Sequence, residues 1–439
     1  MASCESNQPI ATLPVPSRAQ ISLLKLFAVC LLVPAALVSC VLTLSPNFSA
    51  GNTNAFELQT REHPIGGDLI QEYVGGHIWN ANREQLYDWK HSKSLQHDPS
   101  VVGFTWQESG YFPMVYPPFH YQFASLSSSM AYGKFIVTWM FSGAIALSVA
   151  SFFFLSGFRD LRANSGGWFF FALLFTPLLV SINTGQKSAI LLAILTITFV
   201  LLHRQRPLTA GLVFGLIAFK PYLAVLIGVV MLCKKQYRFV AGSFVTLTAL
   251  IAVSWIAAPT SWGQYIQMCF GMTEYISTSG YQLEQSHCLW GAIELLLGKQ
   301  FPVLVKPLAI VAAIGVLTLL GRIMSGPIEL SSSRFAFQFA ACVIATVLVS
   351  PHFYTYDLSI LLLPLAICGL SADITHRINR RVMYWICISV LFGASMYGLI
   401  ALKFGFQIST LILFTWLIVI AGGWNAIDVM KEGTLEKAE

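Results

Sequence analysis

A short polar stretch, SINTGQKSAI at residues 181–190, interrupts an apolar part of the chain and places an amide beside a lysine. An ammonium group and the free N–H groups at the start of a helix are able to hold an anion. Asp68 and Glu72 follow a Gly-Gly pair, and carboxylates are able to take up a proton. A third group, SPHFYTYD at 350–357, combines histidine, tyrosine and aspartate. The same residue types are also ordinary in turns and helix caps, so the elements that carry them must be considered first.

Composition places these elements in a membrane. The chain has 439 residues, of which 56% are hydrophobic and 10% are charged, and its mean hydropathy is +0.67. A soluble domain has about 25% charged residues. The formal net charge is +6, but the basic residues lie in loops and do not cluster on a soluble module, which argues against nucleic-acid binding. The composition is that of a polytopic membrane protein.

Apolar segments of roughly 20 residues are needed to cross a bilayer. The sequence predicts an all-α bundle of about ten such transmembrane helices, the first of which is a retained helix and not a cleaved signal peptide. The predicted spans are 21–43, 132–157, 168–182, 188–203, 239–258, 302–322, 335–350, 356–371, 382–402 and 404–423.

The segment 207–233 is long enough for one span but carries Lys220-Pro221 at its middle. If it folds back at Lys220-Pro221 as a re-entrant helical pair, most basic residues of the chain lie on one side, as expected for cytoplasmic loops. A full span would move the arginine clusters of the C-terminal half outside. The charge pattern therefore favours the hairpin, and a single kinked helix is the alternative.

This topology defines one transmembrane domain, residues 21–423, between cytoplasmic tails at 1–20 and 424–439. It assigns the two large loops, 44–131 and 259–301, to the outer side of the membrane. The polar stretches noted above all fall on that side, while the inner loops are short and basic. Any chemistry is therefore expected at the extracytoplasmic face.

The first outer loop contains a predicted amphipathic helix. In GGDLIQEYVGGHIW, apolar residues recur at the i, i+3, i+4 spacing, and we expect the helix to lie along the membrane interface. Asp68 precedes it, so the simplest interpretation of this carboxylate is an N-cap. The aromatic residues around Tyr116 at the end of the loop are suited either to the interface or to a sugar.

Six motifs in a fixed order resemble those of glycosyltransferase family 87, which has the GT-C fold. The resemblance extends over roughly residues 60–370. The motifs are the Asp before the first-loop helix, LYD at 86–88, YPP at 116–118, NTGQKS at 183–188, AGLVFGLIAFKPY at 210–222 and SPHFYTYD at 350–357.

The resemblance implies transfer of a sugar, mannose or a pentose, from a polyprenyl-phosphate donor to a hydroxyl of a glycolipid or glycan, with inversion at the anomeric carbon. Asp68 is the expected catalytic base, and Glu72 is the second candidate or a ligand of the sugar. Gln186 and Lys187 are expected to bind the phosphate or the sugar. An ordinary helix–helix turn is the alternative interpretation of this stretch.

Further substrate contacts are expected from Tyr116, His352, Tyr354 and Asp357. Interfacial packing of the aromatic rings, and a helix cap in the case of Asp357, are the alternatives. Lys220 is expected to stabilise the fold or contact lipid, because an intramembrane lysine is costly to insert and the middle of the membrane is deep for a phosphate at the outer interface.

No cofactor is predicted, because the chain has no DxD pair, no cluster of metal ligands and no nucleotide-binding glycine motif. This leaves a bound divalent ion open. The expected partners are the lipid donor and the acceptor, in the plasma membrane (the inner membrane of a bacterium), and the sequence does not indicate an oligomeric state. A transporter or flippase for a lipid-linked sugar, or a non-catalytic membrane scaffold, are the rival functions.

Overall fold

The computed structural model describes residues 66–106, 110–126, 128–157, 175–278, 283–370 and 377–435. Every regular element within these ranges is a helix, and a single isolated antiparallel bridge joins Ser286 to Tyr354. The predicted all-α class is therefore confirmed. The predicted N-terminal tail and the span 21–43 lie outside the described residues.

The α-helices are numbered here along the chain, and 3₁₀ helices connect several of them. The α-helices are α1 Leu69–Ala81, α2 Trp89–Gln96, α3 Pro99–Val102, α4 Pro118–Ala124, α5 Tyr132–Gly157, α6 Thr176–Asn183, α7 Ser188–His203, α8 Pro207–Phe214, α9 Pro221–Cys233, α10 Tyr237–Ala257, α11 Pro259–Thr278, α12 Leu289–Leu297, α13 Pro302–Ile323, α14 Ser333–Val349, α15 Leu362–Leu370, α16 Arg377–Phe404 and α17 Ile408–Leu435. The 3₁₀ helices are Arg83–Gln85, Gly215–Phe219, Leu283–Gln285 and Thr355–Leu361.

Three segments within the described part of the chain are long and apolar enough to cross a membrane by themselves: Tyr132–Phe154, Tyr237–Ala257 and Pro302–Ile323. Shorter apolar helices of 10–17 residues accompany them. The ten-span count stays a prediction. The last helix, α17, continues to Leu435, beyond the boundary predicted at residue 423.

The core is built around α7 and α14. Both helices are apolar on nearly every side, as expected for helices surrounded by others. In α14 every residue from Phe335 to Leu348 is buried. Phe199 of α7 packs against Phe335 and Phe339 of α14, with ring centroids 6.2 and 5.3 Å away. This packing fixes the positions of the polar N-terminal ends of α7 and α14 and of the loops before them.

The segment 207–233 is broken at its middle. Proline favours the first position of a helix and disfavours a helical residue before it, and Lys220 accordingly has φ −126° and ψ 72° between the 3₁₀ helix and α9. Both ends of the segment contact the same loop, because Gln205 Nε2 donates to Ser331 Oγ at 3.1 Å and Lys234 Nζ donates to the Gly326 carbonyl at 2.8 Å. The segment thus begins and ends at one end of the bundle.

The predicted helix in the first outer loop is confirmed as α1, but its polar side is not exposed. Gln71 and Glu72 are 3% and 1% exposed. Two glycines allow close packing against α4, because a Cβ on Gly75 would meet the Tyr121 ring and one on Gly76 would meet the Ala124 backbone. The apolar spacing predicts the helix correctly, yet spacing alone does not tell whether the polar side faces water or a buried cluster.

Candidate active site

Two glycine turns bring Asp68 to the polar stretch identified in the sequence. Gly66 and Gly67 have φ +80° and +48°, and Gly185 has φ +70°, values that favour glycine. A Cβ on Gly185 would collide with the Leu69 side chain and the Gly66 carbonyl oxygen. The turns therefore contact each other through backbone that has no room for a side chain.

This contact between the turns brings the Asp68 side chain within hydrogen-bond distance of Gln186. Asp68 occupies the N-cap position of α1, but its side chain makes no capping hydrogen bond. Gln186 Nε2 instead donates to Asp68 Oδ2. Asp68 as a whole is partly buried, and the capping interpretation does not describe the contacts of its side chain.

A first buried ion pair joins Lys187 to Glu72. Lys187 Nζ donates to Glu72 Oε1, and the two side chains are 2% and 1% exposed. The second carboxylate oxygen, Oε2, lies 3.1 Å from His120 Nε2. The ammonium group also lies over the Tyr116 ring, 3.3 Å from its centroid, in a cation–π contact. Glu72 and Tyr116 thus surround Lys187, and both oxygens of Glu72 have partners.

A second buried ion pair joins Lys220 to Asp357. Lys220 Nζ donates to Asp357 Oδ1 at 2.6 Å, and Ser188 Oγ donates to the same oxygen at 3.0 Å. Lys220 is 4% exposed and Asp357 is fully buried. The ammonium therefore lies among polar side chains at the start of α7, with the Tyr356 ring centroid 5.3 Å away. The ammonium is buried and faces the protein interior, and the fold-stabilising or lipid-contacting role expected for Lys220 stays a prediction.

The surroundings bring the pKa values of Asp68 and Lys187 closer to 7. Burial raises the pKa of Asp68 to about 6, although Lys187 and Lys220 oppose this. Burial lowers the pKa of Lys187 to about 8, against the opposing effect of Glu72. At pH 7 Asp68 is therefore mostly ionised and Lys187 mostly protonated.

The partners of the first pair are held in defined states. Burial alone would raise the pKa of Glu72, but Lys187 and His120 outweigh it and hold the pKa below its ordinary value. Burial and Lys187 together lower the pKa of His120, against the effect of Glu72. Lys187 and His120 thus favour the ionised form of Glu72, and burial favours the neutral imidazole of His120.

The segment 350–357 carries three partly exposed rings along the cluster. His352 and Tyr354 have centroids 4.5 Å apart, and Tyr354 and Tyr356 have centroids 5.7 Å apart. Burial lowers the pKa of His352 to about 4, with a further lowering from Lys220 that Asp357 opposes. His352 is therefore neutral at pH 7 and able to act as a hydrogen-bonding group.

His287 holds this segment from behind. It is fully buried, with Nδ1 2.7 Å from Ser409 Oγ and Nε2 2.9 Å from Thr355 Oγ1. Its backbone N–H donates to the Phe353 carbonyl at 2.8 Å. His287 therefore joins three distant parts of the chain.

The structure therefore brings Asp68, Glu72, Gln186, Lys187 and Asp357 into one cluster, with Tyr116 and Lys220 in contact with it. Sequence reasoning did not identify His120 or the role of Ser188. His120 lies in the first turn of α4, and its ring centroid is 4.5 Å from that of Tyr116, which precedes the helix. Among the described residues, no three His, Cys, Asp or Glu side chains are grouped as a metal site.

The apolar helices and the buried polar cluster at their ends define the class of protein, a polytopic membrane protein with a site built of carboxylates and ammonium groups. The model of glycosyltransferase family 87 matches residues 114–351, more than half of the chain. The chain belongs to this family and is a membrane glycosyltransferase.

No curated protein and no solved structure matches the chain. The family match contains Tyr116, Gln186, Lys187 and Lys220, begins after Asp68 and ends before the last six residues of SPHFYTYD.

Proposed function

We propose that the protein transfers a sugar from a polyprenyl-phosphate donor to a hydroxyl of a glycolipid or glycan at the extracytoplasmic face of the membrane. The observation that carries this proposal is the position of Asp68, a partly buried residue whose carboxylate has its pKa raised to about 6 by burial, beside Gln186 and close to two buried lysines. A base, a polar turn and two cations are the groups that displacement of a phosphate requires.

Asp68 is the general base. The acceptor oxygen attacks the anomeric carbon while Asp68 takes its proton, and the bond from that carbon to the phosphate oxygen breaks with both electrons leaving on the phosphate. A single displacement of this kind inverts the anomeric carbon. A base works best when its pKa is near the working pH, and Asp68 meets this condition better than an exposed carboxylate.

Lys187 and Lys220 stabilise the departing polyprenyl phosphate. Each ammonium is now paired with a carboxylate, so the donor must share or replace these partners. Glu72 keeps one partner when the phosphate takes over Lys187, because His120 stays within hydrogen-bond distance of its second oxygen. Fixed cations at a developing anion are a large contribution to catalysis. Tyr116, His352 and Tyr354 complete the substrate contacts in this proposal.

The ends of the segment 207–233 support the proposed position of the site at the extracytoplasmic face. The basic residues at one end of the bundle are Arg204, Arg206, Lys234, Lys235 and Arg334, and the loop 325–331 lies with them. Basic loops favour the cytoplasm. Lys220, at the turn of the segment, reaches the start of α7 through Asp357 and Ser188. This supports a re-entrant pair whose turn lies at the outer site. It also supports the proposed ten-span, GT-C-like arrangement in the plasma membrane, with both termini on the cytoplasmic side.

The test is transfer of radiolabelled mannose from polyprenyl-phosphate-mannose in membranes that contain the native protein or Asp68→Asn. We expect a lipid or polymer product whose rate of formation falls about 10²–10⁴-fold in Asp68→Asn. Asp98→Asn is the matched control, since Asp98 caps α3 in the same loop and should leave the rate unchanged. Equal rates for native protein and Asp68→Asn would remove Asp68 from the mechanism. Flux of the intact donor across vesicles with no covalent product would instead favour a flippase.

A further inference from the structure

Two oxygen atoms in the cluster are buried and accept no hydrogen bond from any described residue. They are Asp357 Oδ2 and Gln186 Oε1. The rest of each side chain is engaged, because Asp357 Oδ1 accepts from Lys220 and Ser188 while Gln186 Nε2 donates to Asp68. Buried acceptors without a donor are uncommon in folded proteins, and each calls for an explanation.

Both oxygens adjoin the proposed reacting groups. Gln186 holds the base Asp68, and Ser188 holds Asp357. Gln186 and Ser188 are two residues apart, so their α-carbons lie within about 7 Å of each other. Lys187, the residue between them, is one of the two buried cations. The unpaired oxygens therefore flank the turn at which the donor is proposed to react.

The chemistry of the two oxygens restricts what can satisfy them. A carboxylate oxygen and an amide carbonyl oxygen both accept hydrogen bonds and neither donates. The oxygens of a polyprenyl-phosphate sugar's phosphodiester are themselves acceptors and have no hydrogen to give these two atoms. A divalent cation requires about six oxygen ligands, and the described residues include no group of three acidic, His or Cys side chains placed for a metal. Hydroxyl groups, which donate, fit both oxygens.

We infer that Asp357 Oδ2 and Gln186 Oε1 accept hydrogen bonds from hydroxyls of the donor sugar, and that the enzyme selects a neutral sugar with free hydroxyls. This inference rests on the proposed function and divides its site in two. The two ammonium groups serve the phosphate, and the two unpaired oxygens serve the sugar ring. A uronic acid or a phosphorylated sugar places a second anion beside Asp357 and is rejected.

The first experiment uses the native protein in membranes and a set of polyprenyl-phosphate donors. The donors carry mannose, arabinose, galacturonic acid, or mannose with one hydroxyl removed at a time. We expect transfer from a neutral donor and none from galacturonic acid. For mannose, removal of at least one hydroxyl should lower kcat/KM about 10–100-fold, because a hydrogen bond to a charged acceptor is lost.

The second experiment couples the residue to the hydroxyl. Asp357→Asn replaces an acceptor with an N–H donor, so the deoxy donor that suffers most with the native protein should lose less than about threefold relative to mannose in the variant. Glu329→Gln is the matched control. Glu329 is exposed on the loop at the basic end of the bundle, and its variant should keep the native pattern of deoxy penalties. A melting profile in detergent establishes that each variant is folded.

The outcomes separate the inference from the function beneath it. Efficient transfer from the galacturonic acid donor, or penalties below threefold for every deoxy donor, would overturn the inference and leave the glycosyltransferase function intact. Absence of transfer from every donor would overturn the proposed function and the inference with it. If Asp357→Asn does not fold, the deoxy series on the native protein decides the question alone.

Discussion

The two buried lysine–carboxylate pairs of the active-site cluster are built differently. In the Glu72–Lys187 pair, both carboxylate oxygens have partners, since His120 lies 3.1 Å from the oxygen that Lys187 does not use. In the Asp357–Lys220 pair, a single oxygen takes both donors, and the other accepts no hydrogen bond from the described residues. The first carboxylate therefore has partners at both oxygens, whereas the second has them at one.

The two lysines also differ in their aromatic contacts. Lys187 Nζ lies 3.3 Å from the centroid of the Tyr116 ring, whereas Lys220 Nζ lies 5.3 Å from that of the Tyr356 ring. Buried ion pairs add little to stability on their own, but loss of one partner leaves an uncompensated charge. The cost of breaking each pair should therefore depend on how many other partners the remaining carboxylate has.

The largest effect is expected for Lys220→Met. Asp357 would keep only Ser188 as a donor, so the free energy of unfolding should fall by about 3–5 kcal/mol. Unfolding in mixed detergent and SDS micelles measures this change. The double variant Lys220→Met/Asp357→Leu should recover most of the loss, because apolar side chains replace both charges. A single variant as stable as the native protein would show that the pair is dispensable.

A smaller loss is expected for Lys187→Met, about 1–3 kcal/mol in the same unfolding measurement, because Glu72 retains His120. Transfer activity should nevertheless fall strongly, since a cation at the leaving phosphate is lost. A loss of stability equal to that of Lys220→Met would contradict the proposed difference between the two pairs.

The pH dependence of kcat/KM should be bell-shaped. Activity requires ionised Asp68, so it falls about tenfold per unit as pH decreases below about 6; it also requires protonated Lys187, so it falls again above about 8. Lys187→Arg should retain its charge and move the alkaline limb upward, whereas the acidic limb should stay in place. An alkaline limb that does not move in Lys187→Arg would assign it to another group.

The smallest effect is expected for His120→Gln. An amide can still donate to Glu72, so we expect a loss of about 0.5–1.5 kcal/mol of unfolding free energy and retention of transfer activity. His97→Gln is a histidine control in the same loop, away from Glu72, where the ring contacts the Gly110 carbonyl. Complete loss of activity in a folded His120→Gln protein would show that the imidazole takes part in the reaction.

The helices and most of the polar residues of the site could be predicted from the sequence, but the pairs that these residues form could not. Apolar length and spacing predicted the helices, and motif order indicated which polar residues belong together. The partners of Glu72 and Asp357 are 115 and 137 residues away, so no local periodicity contains them. Glu72 is expected from the sequence as a second candidate base or a ligand of the sugar, and its position between Lys187 and His120 could not be predicted. His120 was missed because the aromatic residues around it are equally typical of a membrane interface.

The contact between the two glycine turns joins two distant parts of the chain. Gly66 and Gly67 precede the segment that the family model matches, and Gly185 lies within it. Lys187 and Lys220 lie in the matched part, and Asp68 lies before it. Because a Cβ on Gly185 would collide with the Leu69 side chain and the Gly66 carbonyl oxygen, backbone packing sets the separation of Asp68 from the two lysines, and any side chain at position 185 would change it.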